Sequence, residues 1–140
     1  MSDLKRFTEA QDRDFETALA EIRSGRKRSH WMWYIFPKIA GLGMTDISLH
    51  YAIRDIQEAT DYLMDQQLGF CLTTICQALL ALDTNDAHAV FGSPDDLKLC
   101  SCLTLFDAVP VTFPVFGQVL DKFYQGERDS RTLALLGINK

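Results

Sequence analysis

Near the amino terminus, apolar positions recur at intervals of three and four. Leu4, Phe7, Phe15, Ala18, Leu19 and Ile22 form one stripe, and Gln11 is its only polar member. Such spacing keeps side chains on one face of a helix. A helix over 3–24 is therefore predicted, capped by Asp3 and stopped by Gly25. The next run, SHWMWYIF, is apolar almost without interruption and has no diagnostic period. A short helix over 30–36, capped by Ser29 and ended by Pro37, is preferred to a strand. Further along, a short helix is placed at 48–53, and Asp55 caps another reaching about Asp65. A largely buried helix follows over 67–82, carrying Leu68, Cys71, Leu72, Ile75, Leu79 and Leu82. Asn85 is assigned as the cap of a short helix over 86–91. Ser93 is assigned as the cap of one reaching about Asp107, with Pro94 at its first position. Pro114 opens a helix through Tyr124, and Asp129 caps a last one ending near Gly137. No alternating strand pattern and no hairpin turn signal occurs. The expectation is an all-α single domain spanning 1–140, with about seven or eight short helices around one core. Phe7, Phe15, Ile22, Ile75, Leu79, Leu99, Leu103 and Phe106 are its expected core.

Composition narrows the function classes. At 140 residues, 47% hydrophobic and 24% charged, the chain can bury one core and is not of the disordered type. A net charge of -5 argues against a nucleic-acid duplex as partner, which needs clustered Lys and Arg along a surface. No stretch approaches the roughly 20 apolar residues of a membrane span, and the charged start is unlike a signal peptide. A cytoplasmic location without membrane contact is expected. The cysteines at 71, 76, 100 and 102 lack tight zinc-ligand spacing. They are expected to be reduced thiols, with no metal and no cofactor. No Gly-rich phosphate loop, GxGxxG, GxSxG or HExxH is present, so the common enzyme classes find no support.

Two stretches carry more polar chemistry than packing requires. In RKRSHWMW, Arg26, Lys27, Arg28 and Ser29 would surround the free amides at the start of a helix, a favourable place for an anion. His30 follows as a candidate acid–base group, and Trp31 and Trp33 offer flat faces for a ring to stack on. The plain alternative is a basic turn ahead of two core tryptophans. In SPDDLKLCSCLTLF, Lys98, Ser101 and Thr104 interrupt an apolar helix, and Asp95 and Asp96 sit in its first turn. There, acids either stabilise the helix dipole or act as general acid and base. Ser101 and Thr104 either line a cavity or bond carbonyls one turn back.

The segments RKRSHWMWYIFPKIAGLG, YAIRDIQEATDYL, FGSPDDLKL with TLF after it, and VLDKFYQGERDSRTLALL resemble the uncharacterised bacterial and fungal family catalogued as domain of unknown function 1810. The resemblance covers nearly the whole chain. It implies a mainly helical fold and no established activity. Members are sometimes labelled calpastatin-like, which nothing in this foldable sequence supports. The chain departs from the family pattern at three places. Lys38 stands where Gln often follows FP, Gln66-Gln67 replaces a His-Pro pair, and Ser101-Cys102-Leu103 replaces a Ser-Ser-Met run.

These observations favour a domain that binds or processes a small, flat, anionic ligand, a nucleotide or nucleotide-derived metabolite. The candidate catalytic residues are His30, Asp95 and Asp96. The candidate ligand-binding residues are Arg26, Lys27, Arg28, Ser29, Trp31, Trp33, Lys98, Ser101 and Thr104. The competing reading is a non-catalytic protein-interaction domain. The ligand reading predicts that the SHWMW and SPDDLKL segments face each other across one cleft, which brings His30 near Lys98.

Overall fold

A computed structural model describes residues 3–138. Within them nine helices follow in order: α1 Lys5–Arg23, α2 Met32–Ile35, α3 Asp46–His50, α4 Ile56–Met64, α5 Gln66–Leu80, α6 Ala87–Phe91, α7 Asp95–Asp107, α8 Pro114–Tyr124 and α9 Ser130–Leu136. The helical class expected from the sequence is present. Each of the nine segments assigned one by one has its counterpart among these helices, and the total of about seven or eight undercounted them. The only β pairing among the described residues is a parallel bridge between Ile39 and Ile53.

Local chemistry sets most boundaries. Asp55, Asp65 and Asp129 each accept backbone N–H groups at the start of α4, α5 and α9, through side-chain oxygens. Four assigned caps are different. Leu4 rather than Asp3 precedes α1, although Asp3 accepts the Lys5 N–H at 3.0 Å. Asp86 rather than Asn85 caps α6 and accepts the Ala89 N–H. α7 begins after Pro94, and α2 after Trp31, both without a side-chain cap, so Ser93 and Ser29 do not play that role. α3 lies earlier than 48–53, because Thr45 accepts the Ser48 N–H and Ile53 is drawn into the bridge with Ile39.

α7 is the central element and packs against α4, α6, α8 and α9, while α5 lies between α1, α4 and α8. Their inward faces merge into one core that includes Phe7, Ile22, Ile75, Leu79, Leu99, Leu103 and Phe106. Phe15 is half-buried against its edge. The lone polar member of the α1 stripe, Gln11, is buried and donates to the Tyr34 carbonyl and the Tyr62 hydroxyl at 2.9 and 2.8 Å. The turn from α4 into α5 requires Gly69, where a Cβ would lie 2.3 Å from the Leu63 carbonyl oxygen. No helix among the described residues is long and apolar enough to cross a membrane.

Candidate functional site

The basic loop between α1 and α2 is organised around an anion that the chain itself supplies. Glu21, near the end of α1, accepts the Arg28 and Ser29 N–H groups at 2.7 and 2.9 Å. It also accepts the Ser29 hydroxyl at 2.6 Å and the Trp31 indole N–H at 2.9 Å. Burial opposes ionisation of Glu21, but these bonds outweigh it and hold the carboxyl at about 2. The amides expected to receive a ligand are therefore occupied. Trp31 is 1% exposed and presents no face to a stacking ring.

The second half of the loop is tied to α7. Lys27, its side chain 8% exposed, donates to Asp95 at 2.9 Å and lies 5.0 Å over the Trp31 ring. Asp95 also faces Lys98 at 3.5 Å, and Lys98 lies 5.7 Å over the Trp33 ring. One carboxylate thus joins two lysines, each of which covers a tryptophan. Asp96 turns the other way, toward His88 at 3.6 Å. Its carbonyl accepts the Tyr124 hydroxyl.

The hydroxyls of α7 attach α9. Ser101 donates to the Leu97 carbonyl at 3.3 Å and to Asp129 at 3.1 Å. Thr104 donates to the Cys100 carbonyl at 2.8 Å and accepts the Asp129 N–H at 2.9 Å. Asp129 in turn accepts the Thr132 N–H and hydroxyl. The bonds one turn back are made, and the same oxygens fix the cap of the next helix.

Beside this attachment lies a cleft of about 580 Å³, bounded by Lys38 and Leu42 on one side, by α7 from Pro94 to Ser101, and by the segment from Tyr124 to Arg131. Four cations border it: Lys38, Lys98, Arg128 and Arg131. Arg128 pairs with Asp107 at 2.9 Å and Lys98 with Asp95. Lys38 and Arg131 make no ion pair or hydrogen bond through their side chains within the described residues. Burial, and after it the charges of Lys98 and Arg131, push the Lys38 amine below 10.5, with Asp95 acting in the opposite direction. Cys100 also lines the cleft, and burial pushes its thiol up to about 11. Glu127 and Asp129 border it too, and Asp129 is engaged by Ser101 and Thr132. A concavity that presents two cations without ion-pair partners among the described residues can hold an anion. Among the described residues, no group of three or more His, Cys, Asp or Glu is placed to hold a metal.

A family model described as a protein of unknown function, DUF1810, matches residues 1–136. The chain belongs to this family. Its fold is similar to the crystal structure of the conserved hypothetical protein Rv1873 from Mycobacterium tuberculosis. The two are 40% identical over 98% of each chain, with a TM-score of 0.94. No curated protein matches the sequence. The description of the family states no activity.

Within that fold the expected site residues separate into two groups. Lys98 and Ser101 line the cleft, and Thr104 and Asp95 support it from α7. Arg26, Arg28 and His30 are exposed on the basic loop and do not line the cleft. Ser29 and Trp31 are engaged by Glu21, and Lys27 by Asp95. The two motif segments do meet, but through Lys27–Asp95 and Trp33–Lys98, and not through His30. Sequence reasoning passed over Glu21, Arg128 and Arg131, and treated Lys38 only as a departure from the family pattern. Two signals were available. Lys38 is a lone cation within IFPKIA, and Arg131 sits in the first turn of a helix, where the dipole disfavours positive charge.

Proposed function

We propose that this chain binds a small anionic ligand in the cleft of Lys38, Lys98, Ser101 and Arg131. A nucleotide or nucleotide-derived metabolite is the leading class. One observation carries the reading: Lys38 and Arg131 converge on the cleft without ion-pair or hydrogen-bond partners for their side chains among the described residues. Cations gathered at a partly buried site oppose each other, and a bound phosphate relieves that repulsion. Asp95 serves the site by holding Lys98. The flat part of such a ligand has the Tyr124 ring along the wall, since Trp31 is sealed and Trp33 is covered by Lys98.

Thermal unfolding with inorganic phosphate, adenosine, AMP and ADP tests this, because a ligand that binds only the folded state raises Tm. The phosphate-bearing compounds are expected to raise it and adenosine is not. Arg131→Gln is expected to lose the effect. An unchanged Tm at millimolar phosphate and nucleotide rejects the reading. It would leave the interaction-domain alternative, which draws on another face, where Met64, Phe70 and Phe113 stand exposed beside α5.

A further inference from the structure

We infer that Lys38 is a nucleophilic amine that forms an imine with a small aldehyde or ketone carrying a phosphate or carboxylate group. The inference rests on the anion-binding reading for the charged group of its substrate, and it replaces the nucleotide by a carbonyl compound. It starts from a contrast among the lysines. Every other lysine within the described residues is held: Lys5 by Glu9, Lys27 and Lys98 by Asp95, and Lys122 by the carbonyls of Leu80 and Leu82. Lys38 alone has neither a carboxylate nor a carbonyl on its amine, and it is the one lysine that lines both the cleft and the narrow recess beside it.

Its placement is fixed. The Lys38 carbonyl accepts the Ile53 N–H at 2.8 Å, and the Ala40 N–H donates to the Ile53 carbonyl at 2.8 Å. The side chain therefore extends from an anchored backbone. Gly43 lies beside the amine: a Cβ there would stand at an ordinary contact distance of 3.7 Å from it but would collide with the Ser48 Cβ at 2.8 Å. The charged and titratable groups facing the amine are Lys98, Asp95 and Cys102 from α7 and Arg131 from α9. Arg128, Asp129 and Glu127 line the far wall. Lys98 and Arg131 serve two ends. They favour the neutral amine, which is the reactive form, and they offer positive charge to the anionic group of a carbonyl compound. A desolvated lysine beside another cation is an established way to activate this nucleophile.

The step balances without an oxidant or a metal. The amine lone pair forms a bond to the carbonyl carbon, and the displaced π electrons pass to oxygen, which takes up a proton. That proton comes in net from the nitrogen, giving the carbinolamine, which then loses its hydroxyl together with the one remaining N–H proton as water, leaving C=N. Amine and carbonyl give imine and water.

Pyridoxal phosphate, an aldehyde bearing a phosphate, is the probe. The protein is incubated with it near neutral pH and reduced with borohydride, which converts the imine to a stable secondary amine, and the labelled lysines are mapped by mass spectrometry. Lys38 is expected to carry the adduct before exposed Lys5. Inorganic phosphate is expected to slow that labelling, and Lys38→Gln to abolish it while the chain still folds. Labelling of Lys38 no faster than Lys5 overturns the inference. If phosphate nonetheless raises Tm, the anion-binding reading stands without it. If pyridoxal lacking the phosphate labels Lys38 equally well and phosphate gives no protection, the nucleophile stands and the anion-binding reading fails.

Discussion

The loop of Arg26, Lys27 and Arg28 and the cleft of Lys38, Lys98 and Arg131 both gather cations on an acidic chain, and the fold treats them oppositely. In the loop, Glu21 takes two amides, a hydroxyl and an indole N–H, and Asp95 takes the Lys27 amine. The amides of the loop are thereby occupied, while the Arg26 and Arg28 side chains stand exposed in solvent. In the cleft, Asp95 and Asp107 each meet one cation, while Lys38 and Arg131 have no ion pair among the described residues. The density of basic residues along the chain is therefore a poor guide to a binding site. What matters is which unpaired positive groups the fold gathers around a concavity: Lys38 and Arg131 line the cleft, while Arg26 and Arg28 do not.

The comparison is broken most directly at Glu21. Glu21→Ala leaves the Arg28, Ser29 and Trp31 donors without their acceptor and is expected to lower stability by about 2–3 kcal/mol, roughly 6–10 °C in Tm. Phosphate binding in the cleft should persist. A Glu21→Ala protein of wild-type stability would mean that the loop does not depend on its internal anion. Next in size is Lys27→Met, which keeps the apolar stem over Trp31 but leaves Asp95 with Lys98 alone. A loss of about 1–2 kcal/mol is expected, below that of a completely broken buried pair. Denaturant unfolding monitored by tryptophan fluorescence reads it. Ser101→Ala removes one of the hydroxyls that hold the α9 cap and should cost about 1 kcal/mol, because Thr132 still donates to Asp129.

Acid and base titrations sharpen the same contrast. Glu21 has its carboxyl lowered from 4.5 to about 2 in the folded state. Its contribution is therefore complete above about 4.5 and disappears as the pH falls toward 2. The stability gap between wild type and Glu21→Gln should be constant above that range and close below it. Lys38 has the opposite relation to its surroundings. Its amine is lowered from 10.5 in the folded state, so the unfolded chain binds more protons between the two values. Relative to Lys38→Gln, the wild type should gain stability as the pH rises through that interval toward 10.5. This is the smallest of the expected effects. A gap that shrank or stayed level would show that Lys38 is not electrostatically strained.

Much of the secondary structure was legible because its causes are local. Pro114 at the first turn of α8, the Asp55 and Asp129 caps, and the stripe of α1 all act within one or two turns of the chain. The misplaced caps also have local explanations: Asp86 lies one residue from Asn85, and both residue types are good caps. Chemistry was legible only where a charge looked misplaced in its own segment, as Lys98 does in α7. Glu21 looked like an ordinary exposed acid on the polar side of α1, because its donors come from the turn that follows. Lys38 stood out as a lone cation within IFPKIA, but that segment does not show which carboxylates the fold places near its amine.

By itself, the sequence determined the helical class, the family and the core stripe, and it set Lys27, Asp95 and Lys98 in two suggestive motifs without the tie between them. Helix formation and burial patterns depend on neighbours three and four positions away, which a sequence displays. Only the tertiary structure decided that the motif amides close on Glu21, and that Lys38, Lys98 and Arg131 meet across a cleft. Those outcomes depend on how α9 is pinned to α7 by Ser101, Thr104 and Asp129, and on the Ile39–Ile53 bridge that anchors Lys38. Electrostatic pairing depends on distance in space, and no spacing along the chain encodes it.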